Sequence, residues 1–160
     1  MEQELSAPSA KTHGMRYEEF TVGQQFSSGE RTVTADALRE FASAYDPQPI
    51  HLDASFAART TFGHLIASGY HTLALSWRLW IDTGVFGDDS IAGLGLDEVR
   101  WLRPVVAGDR LTVVAEVLDI RPSASRPGAG IVRLLLRVQN QRSEHVLTYR
   151  STALLRGRAL

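Results

Sequence analysis

Residues 69–84, which read GYHTLALSWRLWIDTG, carry the strongest helical pattern in the chain. Most of their apolar side chains recur at helical spacing along one stripe, namely Tyr70, Leu73, Ala74, Trp77, Trp80 and Ile81. Two leucines, Leu75 and Leu79, lie elsewhere around the same helix. A helix that is apolar on most sides is usually buried. The pattern therefore predicts a long, buried central helix over residues 69–83, ended by Gly84.

The segments that follow this helix have the composition of β-strands. They are rich in Val, Leu, Ile and Tyr, and they lie at residues 96–104, 111–120, 131–138 and 145–155. One more β-compatible segment, residues 25–33, precedes the helix. A sheet of about five strands can bury one helix against its face. The expected fold class is α+β, with an antiparallel β-sheet wrapped around one long central helix.

Shorter helices are expected between the first strand and the central helix. Thr34 can cap the first of them, whose apolar face ends at Tyr45. Pro47 and Pro49 then stop that helix and hold an extended loop. Asp53 can cap a second short helix. The central helix is thus expected to follow a proline-stiffened loop.

The composition is that of one folded domain. The chain has 160 residues, of which 44% are hydrophobic and 22% charged, and these values exclude wholesale disorder. Seventeen basic residues against eighteen acidic ones give a net charge of −1, so no global basic field would hold nucleic acid. The chain has no cysteine, which excludes disulfides, thiolate nucleophiles and cysteine-based metal sites.

The ends of the chain suggest one domain preceded by a tail. Residues 1–16 are polar and are predicted to form a disordered N-terminal tail, and residues 17–156 are predicted to form the domain. No apolar stretch reaches the ~18 residues that a membrane span needs. The N-terminus also lacks the apolar core of a secretory signal. We therefore expect a cytoplasmic protein that does not enter a membrane.

The proline-stiffened loop carries a candidate acid–base pair. Residues 46–51, DPQPIH, place the carboxylate of Asp46 five residues before the imidazole of His51. Two prolines between them lower the entropic cost of holding both side chains in one geometry. Such a pair can share and activate one water molecule, because the pKa of histidine lies near neutrality. The alternative is that Asp46 merely ends a helix and His51 is an ordinary loop residue.

The start of the central helix is the second candidate element. Its first backbone N–H groups lack partners within the helix, and the helix dipole adds partial positive charge there. Gly69 lets a ligand approach the backbone closely, which suits an oxygen that gains negative charge. We expect Gly69→Ala to block that approach while leaving the helix as stable or more stable. The alternative is an ordinary helix start with Ser68 as its N-cap.

Three blocks of sequence, in this order, resemble the MaoC-like dehydratase family, which includes the (R)-specific enoyl-CoA hydratases. They are YDPQPIHLD at 45–53, FGHLIASGYHTLALSWRLW at 62–80 and DEVRWLRPVVAGDRLTV at 97–113. The resemblance extends from Tyr17 to about Arg156. It implies that the predicted sheet and helix form a hot-dog fold. It also implies a homodimer or higher homo-oligomer, and an exposed sheet edge would favour such pairing.

The resemblance further implies a reaction. The protein is expected to be a hydro-lyase that reversibly adds water to a 2-enoyl thioester, usually of coenzyme A, without a cofactor or a metal ion. Asp46 and His51 match the family's catalytic pair, and Gly69 matches the residue whose backbone N–H binds the thioester carbonyl. Some hydratases carry a serine about eight residues after that glycine. This chain has Trp77 there, with Ser76 beside it, so that polar contact is not carried over.

The other histidines and the tryptophans are expected to have no part in catalysis. His64 and His71 lack the spacing of a metal site, and no metal ion is expected. Three tryptophans are expected to pack in the core, with an acyl tunnel as the alternative: Trp77, Trp80 and Trp101. The remaining histidines, His13 and His145, are predicted to lie at the surface.

Two further interpretations of the function stay open. The chain could be a hot-dog acyl-CoA thioesterase, although such enzymes generally lack the proline-stiffened Asp–His loop. It could also be a non-catalytic subunit that binds acyl thioesters.

Four arginines can be interpreted in two ways, as residues on a solvated face or as residues that contact coenzyme A phosphates: Arg100, Arg103, Arg121 and Arg126.

Overall fold

The structure, a computed structural model, describes residues 13–158. The strands in this part of the chain are β1 (Gln25–Ser27), β2 (Arg31–Thr32), β3 (Ser90–Trp101), β4 (Arg110–Pro122), β5 (Ala129–Gln139) and β6 (His145–Arg156). The α-helices are α1 (Ala35–Tyr45), α2 (Pro49–Leu52), α3 (Ala54–Ala57) and α4 (Gly69–Ile81). The element order therefore follows the predicted one of strand, short helices, long helix and four long strands.

The strands form an antiparallel sheet with α4 packed against its core face. The strand order is β1-β4-β5-β6-β3, and β2 pairs with the start of β4. Side chains along β4, β5 and β6 alternate between fully buried and partly buried, as expected for strands with one face on the core. Leu79 and Trp80 of α4 belong to the same core. The expected α+β hot-dog arrangement of a sheet around one helix is confirmed.

The central helix buries only part of the predicted apolar stripe. Its buried residues are His71, Thr72, Ser76, Leu79 and Trp80. Polar Ser76 can be buried because its Oγ lies 3.0 Å from the Tyr149 hydroxyl and also bonds a backbone carbonyl. Tyr70 and Ile81 of the predicted stripe are instead 62% and 43% exposed. The exposed side is one stripe of Tyr70, Ala74, Arg78 and Ile81, and the other residues of the helix are buried or partly buried, so the expectation of a mostly buried helix holds.

The two predicted strands that differ most from the structure both contain or adjoin glycines. The strand predicted to begin at Leu96 already begins at Ser90, and the added part contains Gly93 and Gly95, which have low strand propensity. The strand predicted over 25–33 is broken into β1 and β2. Within the described residues β3 pairs only with β6, so β3 is an edge strand of the sheet.

The caps of the short helices are as predicted, but the loop between them is not fully extended. The Thr34 hydroxyl accepts a hydrogen bond from the Ala37 N–H, and the Asp53 carboxylate caps α3 in the same way. Pro49 is the first residue of α2, a position that suits a residue without an N–H. His51 therefore lies on a one-turn helix, where the sequence had predicted an extended loop.

The predicted tail, residues 1–16, lies mostly outside the described residues. At its end, the Met15 N–H donates to the Val85 carbonyl at 2.8 Å, and the Arg16 guanidinium donates to the Gly157 carbonyl at 2.6 Å. These two residues thus already contact the domain that was predicted to begin at residue 17. Within residues 13–158, no helix has both the length and the apolar character needed to span a bilayer.

Candidate active site

The residues predicted to act together, Asp46, His51 and Gly69, line one cleft. Asp46 lies at the end of α1, His51 on α2 and Gly69 at the start of α4, so three elements converge there. The cleft has a volume of about 420 Å³, within the range of small-molecule sites. We call it the dyad cleft. Its largely apolar wall includes Phe62, Ile66, Trp101, Leu102, Pro104 and Val105.

Asp46 is held by two side-chain hydrogen bonds. The Ser68 hydroxyl donates to Oδ2 at 2.6 Å, and the Gln48 amide donates to Oδ1 at 2.7 Å. The Ser68 hydrogen bond, followed by that of Gln48, lowers the pKa of Asp46 below its ordinary value, and the nearby His51 adds to the effect. The carboxylate is therefore ionised at neutral pH and has a fixed orientation in the dyad cleft.

His51 is buried, and its tautomer follows from its backbone partner. Its Nδ1 lies 2.8 Å from the Ile66 carbonyl oxygen, which can only accept, so Nδ1 carries a proton. The other ring nitrogen, Nε2, lies 3.3 Å from Oδ2 of Asp46. When the ring is neutral, these two atoms are both acceptors. A proton on Nε2, or a water molecule that donates to both atoms, supplies the hydrogen bond that two facing acceptors lack.

The start of α4 supplies a backbone donor at the same cleft. Ser68 caps the helix, because its hydroxyl accepts from the Tyr70 N–H at 3.2 Å while it donates to Asp46. Across residues 13–158, no group accepts a hydrogen bond from the Gly69 N–H. This N–H also stands at the positive end of a 13-residue helix. Ser68 thus joins the cap of the helix to the carboxylate of the candidate pair.

Trp101 packs directly on Gly69 and bears on two expectations. Its indole Nε1 donates to the Gly69 carbonyl at 2.9 Å, and a Cβ at position 69 would lie 2.6 Å from that same nitrogen. Gly69→Ala therefore requires the indole to move, which opposes the gain in helix stability expected from the sequence. Trp80 belongs to the core and Trp77 packs against it, but Trp101 is 48% exposed and lines the dyad cleft.

The histidines left out of the site lie away from the pair. His64 is exposed. His71 is buried, and its ring stacks on Phe41 with a centroid separation of 4.8 Å. Burial lowers the pKa of His71. Neither residue lines the dyad cleft.

Several contacts of the site were not identified from the sequence. Ser68 was considered only as a cap, and Gln48 was not considered at all. The Ile66 carbonyl gives no sequence signal, because every residue has a carbonyl. Of the two arginines near Trp101, Arg103 lines the dyad cleft and Arg100 does not.

Known proteins support the family resemblance on which this site was predicted. Residues 18–138 match the model of a family described as MaoC like domain. The chain belongs to this family. The MaoC-like domain thus covers the dyad cleft and most of the sheet.

Individual MaoC-like relatives are similar to this protein over most of its chain. It is 40% identical to YdeM of Bacillus subtilis over 132 residues, which cover 82% of this chain and 92% of YdeM. The crystal structure of a MaoC-like dehydratase from Rhodospirillum rubrum has a TM-score of 0.85 at 39% identity, covering 92% of this chain and 100% of that one. The unliganded R-hydratase PhaJ1 of Pseudomonas aeruginosa has a TM-score of 0.71 at 32% identity, covering 92% and 89%. Family and fold are as the sequence predicted.

Proposed function

We propose that this MaoC-like protein is a hydro-lyase that adds water across, or removes it from, the C2–C3 bond of an acyl thioester. Its substrates would be a 2-enoyl-CoA in one direction and a 3-hydroxyacyl-CoA in the other. The observation that carries the proposal is that Asp46, His51 and the unpartnered Gly69 N–H line one cleft. The family's hydratases and dehydratases, including the R-hydratase among the relatives, support it.

The acyl thioester is expected to bind through its carbonyl and its chain. The carbonyl oxygen accepts a hydrogen bond from the Gly69 N–H, where the α4 dipole favours negative charge. The acyl chain lies against the apolar wall of the dyad cleft. One water molecule donates to Nε2 of His51 and Oδ2 of Asp46, the two atoms that lie 3.3 Å apart.

Hydration then proceeds with balanced proton transfers. The water oxygen forms a bond to C3, and the π electrons of the C2–C3 bond move through C2 toward the thioester oxygen. The pair takes one proton from the water and delivers one proton to C2, so Asp46 and His51 end in their starting states. The Gly69 N–H stabilises the charge that develops on the oxygen. Dehydration is the reverse of these steps.

The protein is also expected to act as a homodimer joined along β3. A strand that pairs antiparallel with its own copy is self-complementary about a two-fold axis, and β3 has an unpaired edge in the described chain. Leu96 and Trp101 of β3 are about half exposed, as are Tyr70 and Ile81 of α4. Tyr70 and Trp101 contact edge to face at 6.0 Å, which joins the two exposed apolar parts. A second copy would cover both.

The products formed from crotonyl-CoA test the proposed reaction. We expect the enoyl absorbance to fall and 3-hydroxybutyryl-CoA to form, with no free thiol released. Release of free coenzyme A without hydration would instead identify a thioesterase. Binding of crotonyl-CoA without either reaction would identify a non-catalytic subunit. Either of these two results contradicts the proposal.

A further inference from the structure

The lining of the dyad cleft includes one permanently charged cation. Within residues 13–158, Arg103 is the only arginine or lysine that lines it. The reaction proposed above gives roles to the Asp46–His51 pair, to the Gly69 N–H and to the apolar wall, but none of its steps uses a guanidinium group. A cation in an otherwise largely apolar cleft suits a ligand that carries an anionic group.

Arg103 belongs to a segment that runs beside the start of α4. Two residues before it, the Trp101 indole donates to the Gly69 carbonyl at 2.9 Å. Two residues after it, the Val105 carbonyl accepts from the Ala67 N–H at 2.7 Å. These two contacts hold the backbone of Arg103 beside the helix start, where the thioester carbonyl is proposed to bind.

The positive charge of Arg103 is only weakly neutralised. In the described chain, the one carboxylate within 4.0 Å of its guanidinium is that of Glu144, with 3.9 Å between Nη1 and Oε1. The other oxygen of Glu144 already accepts hydrogen bonds from Arg142 and Asn140, both at 2.9 Å. The Arg103 guanidinium makes no hydrogen bond to another residue of 13–158, and its side chain is 57% exposed. Its N–H groups are therefore available to a ligand.

The charge of Asp46 limits where a second carboxylate can bind in the same cleft. Asp46 is ionised, and its oxygens are held by Ser68 and Gln48. An anionic group on the acyl chain would be repelled by this carboxylate and attracted by Arg103. A guanidinium group can also donate two parallel hydrogen bonds to one carboxylate. The two fixed charges thus favour a carboxylate that lies away from the reacting atoms and against Arg103.

We propose that Arg103 selects acyl thioesters whose acyl chain ends in a carboxylate. The substrate is then the thioester of an unsaturated dicarboxylic acid. This inference rests on the proposed function, because it names the substrate class of the same site. Water still adds across the C2–C3 bond, and Arg103 binds the terminal carboxylate without taking part in proton transfer. Arg103 is therefore a specificity-determining residue.

The phosphates of coenzyme A are the other source of anionic oxygens. The whole pantetheine arm separates them from the thioester, whereas Arg103 and Gly69 line the same cleft of about 420 Å³. A carboxylate at the end of a short acyl chain can reach across such a cleft directly. A contact with the phosphates would affect every acyl-CoA alike, whereas a contact with the acyl carboxylate affects only the substrates that carry one. This difference separates the two sources.

Two substrates of matched shape test the selection. Glutaconyl-CoA is 2-pentenoyl-CoA with a carboxylate in place of the terminal methyl group. We expect the parental kcat/KM to be at least about tenfold higher for glutaconyl-CoA, the scale of one charge-assisted hydrogen bond. Arg103→Gln should lose this preference. Arg103→Lys should keep part of it, because lysine retains the charge but not the two-pronged geometry.

Arg100→Gln is the matched control, because Arg100 is an exposed arginine three residues earlier that does not line the dyad cleft. This variant should keep the parental preference for glutaconyl-CoA. If Arg103→Gln lowers kcat/KM equally for both substrates, the guanidinium acts on the coenzyme A that they share, and the inference is overturned. It is also overturned if the parent shows no preference, or if Arg103→Gln leaves the preference intact.

Calorimetry with saturated analogues separates this inference from the proposed function. Glutaryl-CoA and valeryl-CoA differ in the same way as the two substrates, but neither has a C2–C3 double bond to hydrate. The parent should bind glutaryl-CoA at least about tenfold more tightly than valeryl-CoA, and Arg103→Gln should bind both equally. This preference in a protein that hydrates no enoyl-CoA contradicts the proposed function only. Hydration by a parent that lacks this preference overturns the role of Arg103 only.

Discussion

Ser68 acts on two parts of the site, because its hydroxyl caps α4 and donates to Asp46. Its hydrogen bond is the largest cause of the lowered pKa of Asp46. A carboxyl group whose pKa is lower in the folded state contributes stability at pH values above its unfolded pKa. That contribution is lost as the pH falls through the folded pKa. The Ser68 hydrogen bond therefore makes both the fold and the ionised carboxylate more resistant to acid.

Replacing Ser68 tests this link between the cap and the carboxylate. In Ser68→Ala the pKa of Asp46 should rise toward its ordinary value, and the acid limb of the kcat/KM profile should move to higher pH. That limb belongs to the Asp46–His51 pair as a unit. Thr34→Ala is the matched control, because it removes a helix cap of similar value without touching Asp46. An acid limb that stays in place in Ser68→Ala, or moves as far in Thr34→Ala, contradicts the link.

Gly69 is constrained by Trp101 as well as by the proposed ligand. Alanine would favour the helix by up to about 1 kcal/mol, but its methyl group meets the indole nitrogen at 2.6 Å. We expect Gly69→Ala to lower both the melting temperature and the rate of hydration. In a Trp101→Ala background the same substitution should be neutral or stabilising. Thermal melts of the parent, the two single variants and the double variant measure the coupling between the two residues. Equal destabilisation in both backgrounds would show that Trp101 is not the cause.

At the scale of elements, α4 depends on a buried hydrogen bond to the sheet. The Ser76 hydroxyl lies 3.0 Å from the Tyr149 hydroxyl, and burial raises the pKa of Tyr149 to about 12. Ser76→Ala leaves the tyrosine hydroxyl buried without this partner, which costs about 1–3 kcal/mol of unfolding free energy. The double variant Ser76→Ala/Tyr149→Phe should recover part of that loss. Denaturant unfolding measures the loss of unfolding free energy in each variant. A loss in the double variant equal to the sum of the two single losses would contradict the coupling.

Short-range signals predicted the caps and the order of the elements. Thr34, Asp53 and Ser68 lie directly before the helices that they cap, so local sequence is sufficient to find them. Pro49 was interpreted as a helix breaker. It instead begins α2, because proline stops a helix that precedes it and favours one that follows.

Contacts across the sheet could not be predicted from such short-range signals. The pairing of β3 with β6 shifts register between Asp97 and Arg100, and Glu98 there has a φ of 51°. Such an irregularity breaks the two-residue alternation of side chains, so the sequence could not show which face Trp101 occupies. Its hydrogen bond to Gly69, 32 residues away, depends on that face.

For the whole molecule, the exposed apolar surface of β3 and α4 predicts a dimer. Sedimentation equilibrium at micromolar concentration should give twice the 17.6 kDa mass of one chain. Leu96→Glu, which places a charge on the exposed part of β3, should shift the equilibrium toward single chains. Val22→Glu is the matched control, because Val22 is also exposed and lies outside both elements. A parent that sediments as one chain contradicts the dimer.

The turnover of crotonyl-CoA by variants of the Asp46–His51 pair tests the proposed chemistry most directly. The controls are Asp36→Asn and His64→Ala, whose side chains are exposed and line no part of the dyad cleft. We predict that Asp46→Asn and His51→Ala each lower the initial rate at least about 10²-fold, the scale of acid–base assistance, while both controls keep the parental rate. A folded Asp46→Asn or His51→Ala protein that hydrates crotonyl-CoA at the parental rate would contradict it.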